Sequence, residues 1–227
     1  QINDAIYGLF QITEKSLGYK VTMDFKINFS EVFHEKGGFD IVIGNPPYVQ
    51  LQKDKGKLAN MYKNCRYKTF ERTGDIYVLF YENGINILKK RGHLCFITSN
   101  KWMRARYGES LKEYFLAKNP LLLIDLGPDI FENATVDTNI LIIQNDDNNK
   151  TLRGITLTNE AKDKDLANVV QKNAILLPNM NKNAWFIGSN AEQKLKEKIE
   201  RIGIPLKEWN VNINYGIKTG LNEAFII

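Results

Sequence analysis

The chain has little of the chemistry that builds metal centres or disulfide frameworks. It holds two cysteines, Cys65 and Cys95, and two histidines. Two cysteines make neither a disulfide framework nor a zinc site, and two histidines leave little room for a His-based centre, so no metal is expected. No signal peptide and no run of about eighteen apolar residues is present, so a soluble cytoplasmic protein without a membrane partner is expected. Glycine-rich loops are missing as well: none lies before residue 39, and no Gly-x-Gly follows a later strand. What is there is a globular composition. The 227 residues are 43% hydrophobic, enough for a core in one domain or a domain and a part. A net charge of +5 and a pI near 9.0 suit a polyanion partner without proving one.

The chain is organised around Asn45-Pro46-Pro47-Tyr48, which follows the apolar run Phe39-Asp40-Ile41-Val42-Ile43-Gly44. The run reads as a buried strand ending at a glycine. Two consecutive prolines fix φ, remove two amide donors and hold the preceding residues extended, so the strand gives way to a stiff loop. In open α/β sheets ligands sit at this carboxyl edge. The Asn45 carboxamide and the Pro46 carbonyl offer two rigid acceptors for the hydrogens of a planar NH2 group. Gripping both draws the nitrogen toward tetrahedral geometry and frees its lone pair, and Tyr48 supplies a flat face for stacking. Such a loop is a site for alkylating an amide or an aromatic amine. Its plain alternative is an Asn-Pro turn.

The order of Phe39-to-Tyr48, Gly74-Asp75-Ile76-Tyr77-Val78-Leu79-Phe80, Phe96-Ile97-Thr98-Ser99-Asn100, and Phe131 with Ala134, Val136 and Thr138 resembles a known succession. It is similar to that of the S-adenosylmethionine-dependent N6-adenine DNA methyltransferases of type II restriction-modification systems. The likeness runs from about residue 24 to the last residue and favours forms with a target-recognition domain after the catalytic one, including nuclease fusions. The resemblance implies an α/β fold: the C-terminal half of a Rossmann-like methyltransferase sheet, with parallel strands and an antiparallel edge hairpin, then a helical or mixed extension. It implies that Asn45 and Pro46, stiffened by Pro47, grip N6 of an adenine flipped out of double-stranded DNA. Tyr48 and Phe131 would sandwich that base, and Asp75 falls where the family places residues near the methionine part of the cofactor. In that family a glycine-rich loop follows the first strand, whereas the first strand identified here resembles the fourth. The expectation is a piece of a longer enzyme, inactive alone and weak in binding S-adenosylmethionine.

Along the chain, Ile6, Leu9, Phe10, Ile12 and Leu17 predict an amphipathic helix over residues 1–20. Alternation from Phe25 to Phe29 predicts a short strand, and Ser30 a helical turn. Asp24 reads as a turn residue. Residues 49–73 carry Lys53, Lys55, Lys57, Lys63, Arg66, Lys68 and Arg72, interleaved with Met61, Tyr62, Tyr67 and Phe70. Two readings stand side by side: contact with phosphates and unstacked bases, or a solvated segment whose aromatics join the core. A helix is predicted from residue 75 to about Lys90, capped by Thr73 or Asp75 and ended by Lys89, Lys90, Arg91 and Gly92. A cap is thus the structural alternative for Asp75.

His93–Thr98 reads as the next parallel strand, with His93 and Cys95 in structural roles. Lys101, Arg104 and Arg106 stand at its carboxyl end to meet phosphates, and Trp102 packs. Glu109–Ala117 reads as a helix, and Leu121–Leu126 and Asn139–Gln144 as antiparallel strands. The polar run Asp146–Lys150 is placed at the end of the sheet, although Leu152–Leu157 could extend it. Helices are predicted over 160–172 and 189–203. The domain reading is a partial catalytic domain over 1–150, a connection over 151–208, and the opening of a target-recognition domain over 209–227. Two rivals remain: a protein glutamine-amide methyltransferase, and a catalytically idle DNA-binding module.

Overall fold

The computed structural model describes residues 5, 8, 10–12, 23–128, 130–131, 136–157, 165–177, 180–183 and 185–212. Most of the helix expected over 1–20, and all of 213–227, lie outside them. The chain divides into two compact units, one ending at Ile187 and one beginning at Gly188.

Past residue 22 the first unit has α1 (Phe25–Asn28), where alternation predicts a strand, and α2 (Ser30–Lys36), which begins at the Ser30 that predicts a helical turn. Local chemistry decides for the helix. The Asp24 carboxylate accepts from the amides of Lys26 and Ile27 at 2.8 and 3.1 Å, and the Asn28 side chain accepts from Asp24 N. Phe25, Phe29 and Phe33 recur every four residues, and all three rings meet Phe39 at centroid distances of 6.1, 5.4 and 5.5 Å.

Six strands follow: β1 (Phe39–Gly44), β2 (Leu88–Ser99), β3 (Asn119–Gly127), β4 (Thr138–Gln144), β5 (Arg153–Thr156) and β6 (Ile175–Leu176). They form one sheet in the order β1-β2-β4-β3-β5-β6. β1 pairs parallel with β2 and β3 parallel with β5, while β4 runs antiparallel to both its neighbours. The carboxyl ends of β1, β2, β3 and β5 therefore share one edge. The β3–β4 hairpin is antiparallel as expected but lies inside the sheet rather than at its margin. The polar run 146–150 does not close the sheet, because β5 adds to β3 beyond it.

Four helices complete the unit: α3 (Lys53–Tyr62), α4 (Tyr77–Asn86), α5 (Glu109–Leu116) and α6 (Leu166–Asn173). Helix α4 is shorter than its pattern predicts, and no side chain caps it. Leu88 is buried and pairs with Phe39, so Leu88–Arg91 belong to β2 instead of a last helical turn. Gly92 allows this pairing, since a Cβ there would stand 2.8 Å from the Phe39 carbonyl oxygen. Gly84 does the same for the helix: its Cβ would meet Leu94 at 2.5 Å, so α4 lies directly on the sheet. Tyr77, Val78, Tyr81 and Ile85 pack there on Leu94, Phe96 and Leu141, with Trp102, Phe115 and Trp185 beside them. On the opposite face α6 covers Ile124 and Ile155 through Val169 and Val170. Over β1 that face is open: Ile41 and Ile43 are 66% and 77% exposed.

The second unit contributes α7 (Asn190–Ile202), within the helix predicted over 189–203 and capped by Ser189. Ser189 Oγ accepts from Glu192 N, and the Glu192 carboxylate accepts from Ser189 N at 2.7 Å.

The aromatic and basic segment after α3 is tied to α4 by a buried carboxylate. Glu82 accepts from the amides of Lys68 and Thr69 at 3.1 and 2.9 Å and from the Thr69 hydroxyl at 2.9 Å. Tyr62, Tyr67 and Phe70 pack on Leu51, Ala59 and Leu79, so the aromatics do join a core. Glu82→Ala would strand these buried donors, and we expect a loss of about 2–4 kcal/mol. Urea unfolding of the wild type and the variant checks this; a loss below about 0.5 kcal/mol, the scale of an ordinary surface substitution, would show that the contacts carry little.

Candidate active site

The strand-to-loop change at Gly44 arises as the sequence predicts. Asn45 is exposed and its carboxamide makes no hydrogen bond with a described residue; Pro46 is buried, Pro47 exposed and Tyr48 half-buried. The loop is held from its far side. Leu51 N donates to Gly74 O, and Ile76 N to Val49 O, both at 2.9 Å, bridging Gln50 and Asp75 in antiparallel fashion. This short ladder sets Tyr48 beside the start of α4. The Tyr48 ring meets Tyr77 edge-on at 6.1 Å, and its hydroxyl donates weakly to Ile97 O at 3.4 Å. Burial raises the Tyr48 phenol above its ordinary pKa, so it stays a neutral ring.

Phe131, carried by the loop after β3, reaches the same place. Its ring lies 6.5 Å from that of Tyr48 at an interplanar angle of 62°. The two rings touch edge to face, so a base between them would require one of them to swing. Asp125 holds both strand ends nearby. Its Oδ1 accepts from Asn100 Nδ2 at 3.0 Å and from Gly127 N at 3.2 Å, joining the end of β2 to the left-handed Gly127 that turns the chain toward Phe131. Tyr81, Thr98, Asn139 and Trp102 form a polar row deeper in the same face. The Trp102 indole can only donate, which fixes Asn139 Oδ1 toward it and leaves Asn139 Nδ2 buried without a partner.

Asp75 does not cap α4. Its side chain is 7% exposed, accepts no hydrogen bond from a described residue and is attracted by Lys101. Burial raises its pKa and Lys101 offsets part of that rise. Beneath it the Tyr77 and Tyr107 hydroxyls share a 2.8 Å hydrogen bond, and burial pushes the Tyr107 phenol up to about 12.

The basic residues divide by position. Lys53 lines a cleft of about 440 Å³ beside Tyr48. Lys55 and Lys57 flank it on a left-handed turn, in which Asp54, Lys55 and Gly56 have φ of 53°, 59° and 79°. Lys101 and Arg104 are exposed just past β2. Arg66 and Lys68 are exposed too, but their segment is anchored at Glu82 and Asn83, about one and a half turns down α4 from Tyr77. None of these seven cations forms an ion pair with a described residue. Reasoning from sequence passed over Gln50, Gln52, Glu82 and Asp125. Glu82 and Asp125 did leave a signal, each being a lone acid within an apolar run.

A model of the Eco57I restriction-modification methylase family matches residues 2–131, more than half of the chain. The chain belongs to this family. Among curated proteins similar to it, the type II methyltransferase M.PaeR7I of Pseudomonas aeruginosa is 28% identical over 211 residues. That match takes in 84% of this chain and 36% of M.PaeR7I. The type II restriction enzyme and methyltransferase RM.Eco57I of Escherichia coli is 35% identical over 118 residues, 48% of this chain and 12% of that one. The chain thus spans about a third of the length of M.PaeR7I. In fold the chain resembles a nuclease-deletion mutant of the type ISP restriction-modification enzyme LlaGI, solved in complex with a DNA substrate mimic. The TM-score is 0.55 at 18% identity, over 77% of this chain and 18% of that one. No helix among the described residues is long and apolar enough to cross a membrane.

The buried Asp75 has a consequence for stability. Its raised native pKa means that the folded state holds a proton more tightly than the unfolded state. That contribution is complete below the ordinary value of 3.8 and is lost as pH rises through the native pKa. Asp75→Asn should therefore raise the melting temperature at neutral pH, with the gain vanishing in acid. Thermal melts at pH 7 and below pH 3.8 test this; an equal shift at both would assign the effect to packing.

Proposed function

We propose that this chain is the base-holding part of a restriction-modification methyltransferase. In the whole protein, methyl is transferred from S-adenosylmethionine to N6 of an adenine drawn out of double-stranded DNA. The observation that carries the reading is the exposed, unpartnered Asn45 carboxamide on a proline-stiffened loop, next to the Tyr48 and Phe131 rings.

Each side chain has a task in this reading. The Asn45 and Pro46 oxygens accept from the two N6 hydrogens, turning the lone pair out of the ring's π system. Tyr48 and Phe131 hold the base by its faces, and adenine has to leave the duplex because N6 is paired there. N6 would take the methyl group and release a proton, the electron pair of the broken bond staying with the methyl donor, while Asn45 and Pro46 hold the amino group. The residues fit the cofactor in one respect: the buried Asp75 carboxylate lacks a hydrogen-bonded partner among the described residues, and an ammonium group would offset its cost. When bound, S-adenosylmethionine supplies the electrophilic methyl group. The contribution of the chain is positioning. A glutamine side chain would offer Asn45 the same NH2, but the exposed cations around the cleft favour a polyanion. The domain reading stays with this proposal, with DNA recognition placed beyond residue 208.

In the full-length protein, Asn45→Ala should lower single-turnover methylation of adenine by on the order of 10²-fold or more while leaving DNA affinity nearly unchanged. Tritium transfer from labelled S-adenosylmethionine followed by nucleoside analysis measures this. An unchanged rate would remove the loop from the chemistry.

A further inference from the structure

The cleft beside Tyr48 is lined by Tyr48, Val49, Gln50, Gln52 and Lys53. At about 440 Å³ it falls within the range of small-ligand clefts, roughly 300–1,000 Å³. Its lining has an unusual division of labour. Several peptide groups of the segment are spent internally: Leu51 N donates to Gly74 O, Lys53 N to Gln50 O and Gly56 N to Gln52 O, at 2.9, 3.0 and 2.9 Å. Leu51 is fully buried, so its neighbours Gln50 and Gln52 turn outward. The Gln50 and Gln52 carboxamides and the Lys53 ammonium have no hydrogen-bonded or ionic partner among the described residues. What the side chains of the cleft offer a ligand is one aromatic ring, two donor–acceptor pairs and one cation.

Each of these matches a different part of a nucleotide. A ring takes the face of a base. A carboxamide presents a donor and an acceptor side by side, as the edge of a base does. An ammonium takes a phosphate. We infer that this cleft binds a single unpaired nucleotide of a DNA strand, with Gln50 and Gln52 on the base edge and Lys53 on its phosphate. The inference deepens the reading above and rests on it for the choice of DNA. It adds base-reading residues to a loop that otherwise touches only the amino group, and these would let the site tell one base from another.

The test uses the 227-residue chain itself, without cofactor, and two labelled single-stranded pentamers: d(TTATT) and the same strand with an abasic residue in place of adenine. Fluorescence anisotropy gives both affinities. The wild type should prefer the adenine pentamer by about tenfold or more, the worth of one stacked and edge-bonded base. Gln50→Ala/Gln52→Ala should lose most of that preference while binding the abasic pentamer as before. Lys53→Ala should weaken both pentamers equally and reduce the slope of log affinity against log salt by about 0.7, one phosphate on a single strand. Equal binding of both pentamers by the wild type overturns the inference, and so does a glutamine variant that keeps the full adenine preference. Neither measurement involves methyl transfer. An Asn45→Ala enzyme of undiminished rate would defeat the catalytic reading and leave these affinities standing.

Discussion

The two backbone hydrogen bonds between residues 49–51 and 74–76 are the constraint on which the candidate site depends. They are of ordinary length and tie the segment after the double proline to the start of α4. Through them Tyr48 gains its edge contact with Tyr77, and Asp75 is fixed at the same strand ends. Helix α4 is in turn seated by Gly84 against Leu94, so the position of the loop is inherited from the packing of the core. The proline pair makes the loop stiff, and this ladder makes it stand in one place.

Rigidity is concentrated below the site and spare bonding capacity above it. Glu82, Asp125 and the Thr98–Asn139–Trp102 row are buried and mostly satisfied, and they hold loops against helices. Asn45, Gln50, Gln52 and Lys53 are exposed and uncommitted. Polar groups placed this way suit a surface that completes its hydrogen bonds only with a ligand, since exposed carboxamides cost little while they wait in water.

Much of this was legible from sequence because it is local. The apolar run into Asn-Pro-Pro-Tyr, the strand that ends at Ser99 and the helix within 189–203 are all set by neighbours within a few residues. The errors have a common origin in distant partners. Phe25, Ile27 and Phe29 satisfy a period of two as well as a period of four, and the Phe39 ring shared with Phe33 decides for helix. Leu88–Arg91 look like a basic helix end, yet pairing with β1 draws them into a strand. The join between Asn100 and Asp125 crosses 25 residues, and no local pattern announces it. Gln50 and Gln52 read as ordinary polar surface until the alternation around buried Leu51 shows which way they turn.

β4 descends between two strands that both ascend. The chain leaving β3 must therefore turn round above the sheet and re-enter beside Asn100, where Asn100 N bonds Asp137 O at 2.9 Å. This return carries Phe131, whose ring meets that of Tyr48. A change in the length of this hairpin would thus act on the ring beside Tyr48 and leave the lining of the cleft in place.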